Sequence, residues 1–329
     1  MTDICIIGAG ATGLLLLLLL QEARVDLSRI AIIDTHFDGG DLARKWTGVI
    51  SNTPWSKTID SLRVFCPSLG LQPKEQDSTT PLMDIAHLLR GLAKPLLKQV
   101  RQIQGRALQS DYNSDTQIWT TRVSHGEPVH SAKLILAQGS DPKSMDLPIP
   151  SIPLEIALDE SRLKYYVKQG EKVLVFGTMH SGTLVINNLA VIGAEVTACY
   201  KAEKPFYWAR DGAYDGIKAD AADIADRIIA GDIKVTIVPT ADTAKVIRAS
   251  HDADWVVYAM GFSPRDVALS INGLQCSEKE YGDSGRLTNA PAWGFGIAYP
   301  NRAPDGVNWD VSVASFLEHM KRQIPSILQ

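Results

Sequence analysis

The chain is poor in the features that announce a nucleic-acid partner, a membrane or a disulfide scaffold. No run of five or six like charges occurs, and 33 Lys and Arg against 37 Asp and Glu leave a net charge of −4. That argues against nucleic acid or an anionic membrane as partner, because both recruit dense positive charge. The longest apolar run, Leu14 to Leu20, ends at Gln21 and Glu22, far short of the roughly 20 residues that span a bilayer. Met1-Thr2-Asp3 places no basic stretch ahead of an apolar one, so no secretory signal is expected. Four cysteines occur (Cys5, Cys66, Cys199 and Cys276), none in a Cys-x-x-Cys pair. This fits a reducing, cytoplasmic setting and supplies neither a zinc ligand set nor an adjacent redox dithiol. Cys5 and Cys199 fall in apolar strands and are expected to be inert packing residues; Cys66 stays open. There is no Gly-x-Ser-x-Gly elbow, no His-Glu-x-x-His and no Walker lysine, which removes the common hydrolase and NTPase frameworks.

What is present is one pattern, written twice. With 329 residues, 45% hydrophobic and 21% charged, the chain has room for two globular domains. An apolar strand, a glycine turn, a helix and a second apolar strand run from Ile4 to Ile33 and again from Val173 to about Thr197. Such alternation predicts parallel βαβ units. Between the copies, Gln117 to Val123 and Ala132 to Leu136 read as strands joined by a polar turn. Ser140 to Pro153 reads as a crossover between domains, and Trp255 to Tyr258 as a further strand. A final helix is expected from about Val311 to Gln323 with Asp310 as its N-cap.

In the first copy, Gly8-Ala9-Gly10-Ala11-Thr12-Gly13 follows the strand and opens the helix. The first glycine serves the tight turn and the second the close approach of a pyrophosphate. The third serves helix–strand packing, and the helix start offers free N–H groups to the anion. Asp34 ends the second strand, 21 residues after Gly13, where a carboxylate accepts from an adenosine ribose and repels a 2′-phosphate. This site suits FAD or NAD rather than NADP.

In the second copy, Gly177-Thr178-Met179-His180-Ser181-Gly182 stands in the same context, 169 residues after the first. Met179 replaces the middle glycine, and a side chain there should obstruct the pyrophosphate, so a degenerate second site is the competing reading. Against it, the second strand ends in Cys199-Tyr200-Lys201 with no acid. Lys201, Lys204 and Arg210 could meet a 2′-phosphate, or could only form a solvated loop. His180, at a helix start, should be kept neutral by the dipole, as a hydrogen-bond donor or as a capping or packing residue.

Two such turns resemble the two-dinucleotide-binding-domain flavoproteins, the superfamily of thioredoxin-reductase-like, bacillithiol-disulfide-reductase-like and flavin-monooxygenase-like enzymes. Leu134-Ile135-Leu136-Ala137-Gln138-Gly139 is similar to the superfamily's Ala-Thr-Gly motif, with Gln138 for threonine, and Ala259-Met260-Gly261 to its second instance. Gly294-Phe295-Gly296-Ile297-Ala298 resembles the flavin Gly-Asp motif without its aspartate. The resemblance implies an α/β fold of two Rossmann-like domains, the second inserted in the first: residues 1–150 and 266–329 for FAD, 151–265 for NADPH. It implies FAD contacts at Gly8, Gly10, Ala11, Thr12, Gly13, Asp34, Gly139 and Gly296, with the amides near Val311 and Ser312 facing the flavin. It implies NADP contacts at Gly177, His180, Ser181, Gly182, Lys201, Lys204 and Gly261.

Hydride transfer is cofactor chemistry, so no catalytic side chain is demanded. By the resemblance, the stretch Trp46 to Trp55 should approach the flavin, with Trp46 and Trp55 as stacking walls or as loop anchors. Phe206 to Gly212 could line a channel for a small-molecule substrate. The leading expectation is an FAD-dependent NAD(P)H oxidoreductase, reductase or monooxygenase. No Phe-x-Gly-x-x-x-His signature of the monooxygenases is present. The alternative is a flavin-binding sensor or complex subunit. A homodimer is compatible with either.

Overall fold

The computed structural model describes residues 1–73, 78–206, 217–276, 285–302 and 309–329. Strand β1 (Thr2–Ile7) is followed by helix α1 (Ala11–Glu22) and strand β2 (Ile30–Asp34). β1 has parallel neighbours on both sides, β2 and Val129–Leu136. Its continuous apolar character follows, since a parallel strand covered on both faces has no side for polar residues. The sheet continues beyond β2 to Arg101–Gln104. On the other side it passes through the antiparallel strands Ile118–Val123 and Ala107–Asn113, and Ala292–Gly294 pairs with the end of Val129–Leu136.

α1 is apolar all round because it is covered all round. Leu14 to Leu20 are each at most 1% exposed, packed beneath the helices Leu82–Leu97 and Val313–Leu328. Burial of that kind stabilises by about 1.5–3 kcal/mol per leucine and fixes where the start of α1 points.

A second sheet of four parallel strands has the order Thr236–Pro239, Glu195–Tyr200, Lys172–Phe176, Trp255–Tyr258. The helices His180–Ile192 and Ile217–Ala230 pack together beside it. The large sheet takes strands from both sides of this segment in the sequence. The chain crosses from one sheet to the other at Ser140–Pro142 and returns at Phe262–Pro264, and these two crossings pair antiparallel.

The final helix departs from expectation at its start. It spans Val313–Leu328, and its N-cap is Ser312, in a reciprocal capping box with Ser315. Asp310 does not cap it: its carboxylate accepts from the amide and hydroxyl of Ser312 and so holds the cap itself. No helix among the described residues is long and apolar enough to cross a membrane.

Candidate functional site

The first turn separates what the fold needs from what it leaves open. Gly8 has φ +106°, and a Cβ there would collide with the Ala137 carbonyl; one on Gly13 would collide with the Gly8 carbonyl. Both glycines are demanded by packing alone. Gly10 is different: its nearest contact for a Cβ is the Gly40 Cα at 3.8 Å, and its backbone (φ −72°, ψ −170°) suits any residue. The space it vacates lies toward a cavity, beside the helix-start amides that have no intrahelical partner.

Asp34 organises this turn from beneath. One carboxylate oxygen accepts from the Ala9 amide at 2.8 Å. The other accepts from the amides of His36 and Phe37 at 2.8 and 3.0 Å. A carboxylate has about four acceptor positions, so one remains beside the cavity. Next to the turn, Gly39 and Gly40 have positive φ, and a Cβ on Gly40 would lie 2.8 Å from the Gly10 Cα. The doublet was not singled out in the sequence, although adjacent glycines after a strand are a usable signal.

The cavity has a volume of about 1000 Å³, at the upper end of the roughly 300–1,000 Å³ of small-molecule sites. It runs from Asp34 and Arg106, past Gly8 to Thr12, to Gln138, Gly139 and Ser140. Beyond these lie Asn52, Thr53 and the start of the final helix at Asp310 to Val313, and then Ser181 and Lys218 of the second unit. The cavity therefore extends from the first glycine turn to Ser181, the one residue of the second turn that lines it. Three residues beside it bury polar atoms without hydrogen-bond partners: Thr58 Oγ1, Gln138 Oε1 and Ser140 Oγ. The orientation of Gln138 is set by its Nε2, which donates to the Arg265 carbonyl at 2.8 Å and the Tyr299 hydroxyl at 3.1 Å.

Gly296 lies against the start of α1, where a Cβ would strike the Thr12 hydroxyl. Ile297 follows it, 43% exposed and lining the cavity, so an apolar side chain stands beside the site where the resemblance implies an aspartate. Val311 and Ser312 both line the cavity, just ahead of the final helix. The amide of Ser312 is occupied by Ser315 Oγ at 3.0 Å, which leaves Val313 and Ala314 as the first helical positions.

The second turn repeats the first with one change. Gly177 has φ +105° and abuts the Ala259 carbonyl, and Gly182 abuts the Gly177 carbonyl. Met179 (φ −80°, ψ −168°) has the backbone of Gly10, with its side chain 37% exposed. The turn is intact, and the place kept clear at Gly10 is filled. The Thr178 hydroxyl donates to the Pro205 carbonyl at 2.7 Å, tying down the loop that bears the exposed Lys201 and Lys204. Arg210 and the loop from Tyr207 to Gly212 lie outside the described residues. Gly261 sits on the return crossing, its carbonyl accepting from the Lys143 amide at 2.9 Å, and is not part of the cavity wall.

The two units are clamped at the crossings. The Arg265 guanidinium pairs with Asp41 and with Asp141, the latter at 2.6 Å, and donates to the Gln138 carbonyl at 3.2 Å. Lys45 reaches Asp141 at 3.3 Å. The hydrogen bond from Arg265 holds the Asp141 carboxyl below its ordinary value.

No known family's sequence profile matches the chain. The monooxygenase AgnR1 of Paecilomyces divaricatus is 26% identical over 380 aligned positions, covering 97% of this chain and 96% of that protein. A flavin-containing monooxygenase from Stenotrophomonas maltophilia superposes with TM-score 0.63 at 12% identity, over 100% of this chain and 99% of that one. OTEMO in complex with FAD and NADP superposes with TM-score 0.60 at 14% identity, over 99% and 84%. The chain has the fold of the two-dinucleotide-binding-domain flavoproteins.

Within this flavoprotein fold the remaining candidates separate clearly. Trp46 lines the cavity and packs edge-on against Phe262, ring centroids 5.7 Å apart, while resting on the core of the second unit. Trp55 is not part of the cavity wall. It opens the helix Trp55–Phe65 and packs on the large core, because a residue at a helix start next to buried leucines has an apolar surface to cover. His180 is the first residue of its helix and not its cap. Its pKa is lowered, first by burial and then by the charge of Lys218, so the imidazole is neutral at pH 7. Cys5, Cys66 and Cys199 are buried, and burial pushes their thiols up to about 12, 12 and 11. Among the described residues, no cysteine lines the cavity.

Proposed function

We propose that this protein is an FAD-dependent oxidoreductase that takes hydride from NADPH and passes the electrons to oxygen, as a monooxygenase of a small molecule. One observation carries the reading: a single cavity is lined by the first glycine turn, by the start of the final helix, and by Ser181 and Lys218 of the second unit. The residues present fit FAD. Gly10 leaves a cradle that a Cβ would fill, the start of α1 and the Asp34 carboxylate face a pyrophosphate and a ribose, and buried polar atoms beside the cavity have no protein partner. The chemistry FAD supplies when bound is two-electron transfer from a reduced nicotinamide to an acceptor.

The chain's own residues bind and orient. The Val313 and Ala314 amides, at the positive end of a 16-residue helix, stabilise negative charge in the cavity. Trp46 and Phe262 pack edge-on in the wall of the cavity. Lys201 and Lys204, exposed on the loop after Glu195–Tyr200, would distinguish NADPH from NADH by meeting its 2′-phosphate. Oxygen is favoured over a disulfide because no described cysteine lines the cavity and the three buried thiols are held protonated. AgnR1 carries the name of a monooxygenase, which supports the same choice.

Met179 favours a second reading, a flavin-binding module without nicotinamide turnover. Oxygen uptake separates acceptors: FAD-loaded protein given NADPH in an oxygen electrode should consume oxygen in step with NADPH. Reduced flavin that persists in air would show that oxygen is not the acceptor.

A further inference from the structure

The second turn carries the half-exposed Met179 where the first has Gly10, and the cavity beside it is lined by the cation Lys218. Lys218, second residue of the helix Ile217–Ala230, lines the cavity with Ser181 and Asn52. Its backbone amide donates to Asn52 Oδ1 at 3.2 Å, which fixes the start of that helix against the first unit. Its side chain makes no ion pair among the described residues. Two helix starts thus converge on one wall of the cavity, those of His180–Ile192 and Ile217–Ala230. The Lys218 charge is near enough to His180 to act, after burial, in keeping that imidazole neutral. His180 therefore adds no charge of its own, and Lys218 is the ammonium facing this wall.

We propose that Lys218 is a phosphate-binding residue of the nicotinamide site. Its ammonium holds a phosphate of NADPH at the start of the helix His180–Ile192 and replaces the backbone contact that Met179 obstructs. An ammonium on a four-carbon stem suits this task, because it reaches an anion that cannot come down onto the turn. The inference rests on the reading that NADPH uses the second turn.

The test is equilibrium binding of NADP⁺ to FAD-loaded protein by calorimetry, with no turnover required. Lys218→Gln should weaken NADP⁺ by about ten-fold, the loss of one charge-assisted contact, and leave FAD content unchanged. Lys218→Arg should restore most of the affinity. Wild-type affinity should fall more steeply than that of Lys218→Gln between about 0.05 and 0.5 M salt. In a Met179→Gly background the effect of Lys218→Gln should shrink, since the turn then regains its own contact. A Lys218→Gln protein that binds NADP⁺ as the wild type does, with the same salt slope, overturns the inference alone. A wild type that binds FAD but neither NADP⁺ nor NADPH overturns the reading beneath it as well. An effect seen only when an anionic substrate is added assigns Lys218 to the substrate and refutes the nucleotide contact.

Discussion

Asp34→Asn is the sharpest perturbation of the first site. The Asp34 carboxylate accepts three backbone amides, from Ala9, His36 and Phe37, at 2.8, 2.8 and 3.0 Å. A carboxamide has one oxygen. If that oxygen keeps His36 and Phe37, the new NH₂ faces the amide of Ala9, a residue that is 0% exposed. One charge-assisted bond is lost, about 1.5–3 kcal/mol, and a buried donor is stranded, about 1–3 kcal/mol. Part of this is relieved by local relaxation, so about 2–4 kcal/mol of stability should disappear. That corresponds to a melting temperature lowered by roughly 4–15 °C for a unit of this size. The one remaining acceptor position, on the oxygen facing Ala9, vanishes as well, so FAD affinity should fall by about ten-fold or more. Apoprotein reconstitution followed by flavin fluorescence measures the affinity, and calorimetry the stability. Asp60→Asn, at an exposed pair with Arg63, is the control. The reasoning fails if Asp34→Asn melts within about 1 °C of wild type and binds FAD within about two-fold.

Three further outcomes are expected. Met179→Gly should tighten NADPH by about ten-fold with FAD content unchanged, read from flavin reduction over a range of nucleotide concentrations. Cys66→Ser should lose stability through its buried site yet keep its rate of reduction by NADPH, and thiol reagents should leave Cys5, Cys66 and Cys199 untouched at pH 8. Asp141, held below its ordinary 3.8 by Arg265, binds fewer protons folded than unfolded. Its contribution is fully present above pH 3.8 and lost as pH falls through the folded value. Acid unfolding followed by circular dichroism should therefore be shallower for Asp141→Asn than for wild type.

The parts of the fold set by local rules were legible in the sequence. Strand, glycine turn and helix follow from Gly8, Gly13, Gly177 and Gly182, whose missing Cβ atoms abut backbone within the same unit. The first crossing was placed by composition, but the return at Phe262–Pro264 and the antiparallel pairing of the two were not, since that pairing joins residues more than a hundred positions apart. Arg265 was given no role from the sequence. Its role at the junction depends on Asp41 and Asp141, which no spacing rule brings together. The cap was misplaced because Asp310 and Ser312 are both good capping residues, and only the geometry shows which accepts the Ser315 amide. Trp46 and Trp55 looked equivalent, each a stacking wall or a loop anchor. Tertiary packing sends one to the cavity and the other to the core.

The central claim is that hydride passes from NADPH to FAD within one shared cavity. Anaerobic rapid mixing of the FAD-loaded protein with NADPH, followed by flavin absorbance, tests it directly. The flavin should bleach at a rate that rises with NADPH concentration and is slower with NADH. Flavin that stays oxidised with either nucleotide at every accessible concentration, while dithionite reduces it, would show that no hydride passes from NADPH to FAD.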